Sequence, residues 1–344
     1  MTQAPLNVAV IGSGIWGRQH ATVFSTLAST NLVAVCDIDE VRAVAMAQTF
    51  GVPHHFTDYR KMLEMDGIDA VTIATPDYTH TPLIVDALKA GKHVLSEKPL
   101  ATSVEEGRAI RSAAAASDRK LMVDFHNRVN PAVASAKEAV ADGAIGRTIH
   151  ANGRLSNTTF VPLEMLTWAG KSSALWFLGS HLIDAFRFIL DDEVTRVFAM
   201  KSEGHLKSLG VNTADVHLSM LEFSKGTIVN IENSWVLSPD NPQIFDLEIG
   251  LIGEKGQIQL NPSHNGAYRE MIGKGMKYRD LFGVIPTGVG RVGGFTLESI
   301  ARFVDAVLTD APLLADVEDG LRVTQVLAAI ESSAHTGQPV DLAY

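Results

Sequence analysis

The residues at 12–17 have the types and spacing that bind a dinucleotide. Their sequence, GSGIWG, directly follows the predicted strand 6–11, which contains the apolar run 8–11. The first glycine permits a tight turn, the second lets the backbone approach a pyrophosphate, and the third allows a helix to pack closely on a strand. The helix that begins here would direct its free N–H groups at the phosphates. The predicted cofactor-binding residues of this segment are Gly12, Gly14, Ile15, Trp16 and Gly17.

Asp37 has the position that distinguishes the two nicotinamide cofactors. It ends the second apolar run, 20 residues after Gly17. A carboxylate there can bind both hydroxyls of an adenosine ribose and would repel a 2′-phosphate. The flanking Ile38 and Asp39 are not basic, although Arg42 follows one helical turn later. We therefore predict NAD rather than NADP; the alternative is a glycine turn and a helix-capping aspartate that bind no ligand.

Lys98 is the candidate for proton transfer. It follows the fourth apolar run, in the segment 96–99 with the sequence SEKP. At the carboxyl edge of a parallel sheet it would lie where a nicotinamide ring is expected. Burial beside that positive ring would lower the pKa of the lysine; each unit costs about 1.4 kcal/mol, so a shift of about two or three units is within reach. Lys98 could then exchange a proton with a substrate hydroxyl near neutral pH. Taken alone, it could also be an ordinary surface lysine.

The elements that must position these residues are short apolar runs that alternate with helical patterns over the first 125 residues. The runs are continuous, which is typical of strands buried on both faces of a parallel sheet. This order predicts a doubly wound α/β domain over 1–126, with ligands at the carboxyl ends of its strands. The predicted strands include 8–11, 32–35, 70–73, 93–95 and 121–123, and the predicted helices lie near 15–28, 39–50, 79–90 and 103–117.

The pattern changes after about residue 145. Residues 213–223 and 227–233 alternate mostly polar with apolar, and Lys225-Gly226 between them predicts a hairpin turn. Such alternation predicts an antiparallel sheet with one face covered and the other free or used for association. We expect an α+β domain over 127–344, whose C-terminal helix could pack back on the first domain. Further predictions are strands at 194–201, 244–252 and 256–260, helices at 296–309 and 317–336, an irregular stretch at 158–172 and a long surface loop at 262–294.

Composition limits the classes of partner. The formal net charge of −10 argues against nucleic acid, because a phosphate backbone needs a basic face. No apolar run reaches the roughly 18 residues of a membrane helix, and the N-terminus has no signal-peptide pattern. The single cysteine, Cys36, is expected to be buried packing without a disulfide, and a cytoplasmic location follows as an expectation. No metal site is predicted, since His54, His55 and His205 lack partners at ligand spacing.

Several further motifs are spaced along the whole chain. Besides the glycine loop they are ATPDYTH at 74–80, EKP at 97–99, GSHLID at 179–184, EDGL at 318–321 and TGQPV at 336–340. In this order they resemble the Gfo/Idh/MocA family of oxidoreductases. The resemblance implies a Rossmann domain followed by a domain with a large, mainly antiparallel sheet. It also implies NAD(P)-dependent hydride transfer on a sugar, a cyclitol or a derivative, in homodimers or homotetramers joined through that sheet.

The resemblance also implies roles for single residues. Lys98 matches the family's catalytic lysine, whose bond to the following proline, here Pro99, is often cis, and His181 matches its active-site histidine. Asn127, Arg128 and Asn130 match a segment expected near the interdomain cleft. The implied cofactor residues are Thr75, Pro76, His80, Glu97, Lys98 and Asn127, and the implied substrate residues are Lys98, Arg128, Asn157, Trp168 and His181.

One position departs from the family pattern. Many dehydrogenases of the family carry an aspartate four residues before the histidine, and this chain has Phe177 there. His181 would then work with Lys98 alone, or with Asp184, which lies three residues further on the same helical face and is predicted as a third catalytic residue. Asp184 could equally make a salt bridge or a helix-anchoring bond inside the second domain.

Three functions remain open at this stage. The leading one is a dehydrogenase or reductase in which Lys98 and His181 handle the proton and the cofactor carries the redox chemistry. Phe177 motivates the second, an NAD-binding regulator without turnover. The third is a glycoside-processing enzyme that uses NAD transiently. The stretches 155–177 and 262–294 would choose the substrate, and no motif there names it.

Overall fold

The computed structural model describes residues 4–264, 269–271, 276–278, 283–286 and 292–344. Two compact units make up the chain. The first contains Met1–His126 and Gly283–Leu321, and the second contains Asn127–Phe282 and Arg322–Tyr344. The second unit therefore holds less of the C-terminal chain than the expected domain 127–344.

Six short strands form the parallel sheet of the first unit. They are β1 (Leu6–Ile11), β2 (Thr30–Cys36), β3 (His54–Phe56), β4 (Ala70–Ile73), β5 (His93–Ser96) and β6 (Leu121–Val123). Their order in the sheet is β3-β2-β1-β4-β5-β6, which confirms the predicted doubly wound fold. The helices between them are α1 (Ile15–Thr26), α2 (Glu40–Phe50), α3 (Tyr59–Leu63), α4 (His80–Lys89) and α5 (Val104–Ala115).

Continuous apolar strands let this sheet be covered on both faces. Every residue of β4 is buried, and β1 is buried except at Asn7. Cys36 at the end of β2 is also buried, as predicted. Burial, together with the charges of Asp37 and Asp58, raises the pKa of its thiol to about 12, so the thiol stays protonated and serves as packing.

The second unit is built on a seven-stranded sheet. The strands that follow β6 are β7 (Thr148–Asn157), β8 (Val194–Ser202), β9 (Val216–Phe223), β10 (Ile228–Ser234), β11 (Phe245–Gly253), β12 (Gln257–Leu260), β13 (Arg269–Glu270), β14 (Lys277–Tyr278), β15 (Ile285–Pro286), β16 (Val292–Gly293) and β17 (Val340–Asp341). The large sheet has the order β12-β11-β7-β10-β9-β8-β17. Its β7–β10 pair is parallel and the other pairs are antiparallel, which confirms the predicted, mainly antiparallel sheet.

The remaining helices are α6 (Pro131–Ala141), α7 (Ser180–Leu190), α8 (His205–Ser208), α9 (Phe295–Thr309) and α10 (Val317–Thr336). Helix α9 belongs to the first unit because its apolar face packs into that unit's core. Leu297, Ile300 and Phe303 share a buried cluster with Val8 and Val10 of β1. This packing explains why the first unit takes up 283–321 in addition to its N-terminal part.

Strand β9 shows how the large sheet divides its two faces. The odd-numbered residues of β9, including Leu221 and Phe223, are buried, and the even-numbered Leu218, Met220 and Glu222 are exposed. Alternation of this kind leaves one face covered and one open, as the sequence predicts.

One segment differs from its predicted form. The chain from 158 to 172, expected to be irregular, contains a π-helical turn at Val161–Met165 and a 3-10 turn at Ala169–Lys171. The predicted surface loop 262–294 lies largely outside the described residues. Within the described part of the chain, no helix combines the length and apolar character needed to cross a membrane.

Candidate functional site

The glycine loop between β1 and α1 is held by two close backbone approaches. Gly12 has a φ of +102°, and a Cβ atom there would lie 2.4 Å from the carbonyl oxygen of Ala74. At Gly17 a Cβ atom would lie 1.8 Å from the carbonyl oxygen of Gly12, so α1 packs tightly on its own loop. Only glycine fits either position, for the turn and packing reasons that the fingerprint predicts.

Gly14 has the open surroundings that a bound phosphate would require. A Cβ atom built on it would meet no atom within 4 Å. Gly14 is also the N-cap of α1, and as a glycine it has no side chain that could accept a hydrogen bond from the free N–H groups there. A side chain usually satisfies such groups, and an anion can replace it. The loop therefore fits the pyrophosphate of a dinucleotide.

Asp37 lies directly beside this loop. Its Oδ2 accepts a hydrogen bond from the Ser13 backbone N–H at 2.7 Å, and its Oδ1 accepts one from the Asp39 N–H at 2.9 Å. These bonds fix the carboxylate at the end of β2 while each oxygen keeps a further lone pair for a ribose hydroxyl. Arg42, the nearest basic residue in sequence, lies 3.4 Å from Asp39. This arrangement fits NAD.

His80, at the start of α4, joins two loops at the carboxyl edge of the sheet. Its Nδ1 lies 2.8 Å from the carbonyl oxygen of Pro99, and its Nε2 lies 3.0 Å from that of Thr75. The imidazole is buried, with 1% of the residue exposed. Because backbone carbonyls engage both ring nitrogens, His80 holds the loops that contain Thr75 and Pro99 together.

Lys98 follows β5 and is itself buried, with 6% of the residue exposed. The Lys98–Pro99 peptide bond is cis, as the resemblance implied. Desolvation by burial lowers the pKa of the ammonium, and the charges of Glu97, Asp77 and Asp124 oppose that shift in part. A lysine so placed can change its protonation state more readily than one in water, which is the property that a proton-transfer residue needs.

A buried group of polar side chains surrounds Glu97, and sequence reasoning did not assign it. His20 Nε2 lies 3.0 Å from Glu97 Oε1, His20 Nδ1 lies 2.7 Å from the Thr72 hydroxyl, and Asp124 Oδ2 lies 3.8 Å from His20. The exposed fractions of His20, Thr72, Glu97 and Asp124 are all 5% or less. Position alone could have pointed to them, since His20 lies one turn past Gly17 and Asp124 directly follows β6.

Trp16 and His126 pack against each other near the glycine loop. Their rings stack 5.8 Å apart at 26°, and Phe295 of α9 lies 5.7 Å from the His126 ring. The Trp16 ring is thus part of the first unit's packing. The predicted cofactor binding by Trp16 therefore depends on its backbone. The same holds for Ile15, whose side chain is exposed.

In the second unit, His181 lies in the first turn of α7, directly after a π-helical turn at Leu175–Gly179. Only 9% of His181 is exposed. π-helical turns are uncommon and occur often at functional sites. This turn carries Phe177, the residue at the family's aspartate position.

Aromatic rings surround Phe177. Its ring lies 6.0 Å from that of Trp168 and 5.9 Å from that of Trp235. An aspartate at position 177 would be desolvated by these two indole rings, so the replacement by phenylalanine is matched by the packing around it. Asn157, in β7, is buried and donates from Nδ2 to the carbonyl oxygen of Ile244 at 3.2 Å.

Arg128 and Asp184 form a buried ion pair in the second unit. Arg128 Nε lies 2.9 Å from Asp184 Oδ2, and Arg128 Nη2 lies 2.6 Å from Oδ1, a two-point contact. The Arg128 guanidinium also lies 5.4 Å from the Phe188 ring. These bonds favour the anchoring role that the sequence left open for Asp184. Asn127, which opens the unit, accepts a bond from Asn130.

Known proteins resemble this chain over nearly its full length. The inositol 2-dehydrogenase of Rubrobacter xylanophilus is 29% identical over 335 residues, covering 96% of this chain and 92% of the relative. The D-glucoside 3-dehydrogenase of Escherichia coli is 28% identical, with 99% of each chain covered. Among solved structures, the scyllo-inositol dehydrogenase of Lactobacillus casei with bound NAD(H) and scyllo-inositol has the same fold, with a TM-score of 0.82, 20% identity and 98% and 99% of the two chains covered.

Family models match both parts of the chain. Residues 6–125 match the model described as "Oxidoreductase family, NAD-binding Rossmann fold". Residues 133–259 match the GFO/IDH/MocA C-terminal domain. Together with the glycine loop, Asp37 and the buried Lys98, these matches establish that the chain belongs to the GFO/IDH/MocA family of NAD-dependent oxidoreductases.

Proposed function

We propose that this protein is an NAD-dependent dehydrogenase or reductase that acts on a CH–OH group, or the matching carbonyl, of a sugar, a cyclitol or a derivative. The observation that carries the proposal is the burial of Lys98 at the carboxyl edge of the sheet, in the same unit as a loop that fits a dinucleotide. NAD, when bound, supplies the redox chemistry by accepting or returning a hydride.

Lys98 is proposed to take the proton of the substrate hydroxyl during oxidation and to return it during reduction. Desolvation favours its neutral amine, which is the form that accepts a proton. Glu97 keeps the ammonium form accessible, since its negative charge opposes the desolvation. A group balanced between its two forms is the most effective general acid–base catalyst near neutral pH.

His181 is proposed as the second proton-handling residue. The usual aspartate partner is absent, and Arg128 engages Asp184. We therefore propose that Asp184 acts on His181 only by fixing helix α7. Phe177 and Trp168 would contribute an apolar wall to the substrate site, and Asn157 a polar contact.

The names of two relatives support the substrate class. One is an inositol 2-dehydrogenase and the other a D-glucoside 3-dehydrogenase, so both act on a ring that carries several hydroxyl groups. Asp37 supports NAD over NADP, because its carboxylate would lie against a 2′-phosphate. A cytoplasmic location is part of the proposal, supported by the single, buried cysteine.

We also propose a homodimer or homotetramer joined through the open face of the large sheet. That face carries exposed apolar side chains: Met200 is 66% exposed, Leu218 53% and Met220 54%. Met200 and Leu218 are opposite each other in the β8–β9 register, so they form a continuous patch. Light scattering should show Met220→Asp as a smaller species than wild type and Lys255→Asp, an exposed control, as unchanged. Equal masses for all three would contradict this interface.

The test of the function is NADH formation over a panel of sugars, glycosides and inositols. We expect turnover with at least one of them, a large loss in Lys98→Ala, and wild-type rates in Lys89→Ala, an exposed lysine of α4. Cofactor binding without turnover on any compound would favour the regulator, which Phe177 motivates. Product formation without net NADH, with NAD retained on the protein, would favour transient use of the cofactor.

A further inference from the structure

His20, Glu97 and Asp124 form a buried group next to Lys98. The hydrogen-bond donors and acceptors around it indicate which of the two carboxyl groups is protonated. Its members come from α1, from the loop after β5 and from the loop after β6. One imidazole nitrogen of His20 and one carboxylate oxygen each of Glu97 and Asp124 lie within 4.8 Å of one another. Two carboxylates this close in a buried site cannot both ionise without a large electrostatic cost. The hydrogen bonds around them indicate which one is ionised.

The carboxylate of Glu97 faces two hydrogen-bond donors. His20 Nε2 donates to Glu97 Oε1 at 3.0 Å, and His20 Nδ1 lies 2.7 Å from the Thr72 hydroxyl. The Lys98 backbone N–H points to Glu97 Oε2 at 3.3 Å. Burial alone would raise the pKa of Glu97, but the hydrogen bond from His20 and the charges of His20, Lys98 and His126 outweigh it and hold the pKa at about 2.

Asp124 has the opposite surroundings. Its Oδ1 has no hydrogen-bond partner within the described residues, and its side chain bonds to the Ser299 hydroxyl of α9. That hydroxyl also lies 3.0 Å from the carbonyl oxygen of Thr296, which competes for its proton. Asp124 therefore has one shared donor and one buried oxygen without a partner within the described residues, so its charged form is poorly compensated and its protonated form is favoured. Burial first, then the charge of Glu97, raises the pKa of Asp124 to about 7, against the lowering effects of His20, Ser299 and Lys98.

We propose that Asp124 carries a proton in the working enzyme, so that the Glu97–Asp124 pair presents a single negative charge to Lys98. Glu97 and Asp124 are then positioning residues that act through Lys98, and this inference rests on the proposed function of that lysine. The titratable groups that act on the pair are His20 from α1, Lys98 itself and His126 after β6, and Asp77, after β4, acts on Lys98.

The proton on Asp124 has a consequence for catalysis. If Asp124 loses it, a second negative charge lies near Lys98 and favours the ammonium form. Lys98 would then be a weaker acceptor for the substrate's proton. The rate of alcohol oxidation should therefore stop rising, or fall, as the pH passes through the titration of Asp124.

Infrared spectroscopy of the full-length protein with NAD tests the proton directly, without turnover. At pH 6 we expect the C=O stretch of a protonated carboxylic acid, fading as the pH is raised above 8. Asp124→Asn should remove this band. Asp215→Asn should keep it, because Asp215 is a buried acid whose oxygens accept two backbone N–H bonds. A band that is absent from wild type or survives in Asp124→Asn overturns the proposal. A stoichiometric metal ion bound by His20, Glu97 and Asp124 also overturns it.

Activity provides the second measurement. Glu97→Gln removes the fixed charge beside Lys98 and should lower kcat by about tenfold or more, the equivalent of one pKa unit in the acceptor. Asp124→Asn should lower kcat less and remove the inflection near neutral pH. Equal losses in both variants contradict a protonated Asp124. If Lys98→Ala retains full activity while the infrared band behaves as expected, the role of Lys98 fails and the proton assignment stands.

Discussion

Replacing Asp184 with asparagine tests whether this carboxylate anchors the second unit or takes part in the chemistry. Only 1% of its side chain and 9% of that of Arg128 are exposed. Arg187 approaches the same carboxylate at 3.8 Å. Arg187 has its closer partner in Glu193, at 2.7 Å, so Arg128 is the buried guanidinium that depends on Asp184. Asp184→Asn removes the negative charge with almost no change in volume.

The size of the effect follows from the burial of the pair. Removing one partner of a buried ion pair costs about 3–5 kcal/mol, because the other charge stays buried without compensation. For a domain of about 150–250 residues, 1 kcal/mol corresponds to roughly 2–4 °C in Tm, so we expect Asp184→Asn to lower Tm by about 6–20 °C. The affinity for NAD should change little, since the glycine loop and Asp37 belong to the first unit.

Differential scanning calorimetry of the NAD-free protein is the assay. Glu254→Gln is the matched control in the same unit, because its ion pair with Arg147 is exposed, with 48% and 57% of the two side chains accessible. An exposed pair is worth about 0–1 kcal/mol, so Tm should fall by a few degrees at most.

The opposite pattern would refute the anchoring role. If Asp184→Asn kept the wild-type Tm but lost about tenfold or more in kcat, Asp184 would act in the chemistry. The relay that Phe177 interrupts would then run through Asp184.

Three further predictions concern the cofactor loop, cofactor choice and stability against acid. Gly14→Ala should abolish NAD binding without lowering Tm, because a Cβ atom there enters the open space that the phosphates would occupy. Gly17→Ala should abolish NAD binding and also lower Tm, because overpacking costs about 1–3 kcal/mol of stability. Calorimetry with and without NAD distinguishes the two variants. Asp37→Ala should weaken NAD binding about tenfold to a hundredfold and reduce the preference over NADP, as measured by titration of both cofactors; an unchanged ratio would contradict the ribose assignment. Burial, aided by the charge of Lys201, lowers the pKa of His217 from 6.5 to about 4. The unfolded chain therefore binds more protons between these values, and stability should fall by about 3 kcal/mol as the pH drops from 6.5 to 4 and less in His217→Asn. Equal pH dependence of Tm in both proteins would rule this out.

Local sequence signals predicted the cofactor half of the site. The glycine loop, the strand end at Asp37 and the strand end at Lys98 all depend on one strand, one turn and one helix. Their positions follow from the regular alternation of apolar strands with helices and from the rule that ligands lie at the carboxyl ends of parallel strands. The structure has these residues where the rule expects them.

Long-range contacts limited the rest. Strand β7 lies inside the large sheet, yet its sequence, TIHANGRLSN, is as polar as that of a segment between elements. It is a strand because β10 and β11 pair with it, although their partner residues are 78 to 105 positions away in the sequence. The helix α6 was missed although Asn130 caps it and Pro131 begins it, a recognisable local signal. The pairing of His20 with Glu97, 77 residues away, has no local signal at all.

The most direct test of the central claim is rescue of Lys98→Ala by a small primary amine. If Lys98 moves the substrate's proton, the variant should keep its affinity for NAD, lose about 10²–10⁴-fold in NADH formation and regain part of that rate as methylamine is added. The recovered rate should follow the concentration of the neutral amine. Wild-type activity in Lys98→Ala, with no response to the amine, would contradict the account.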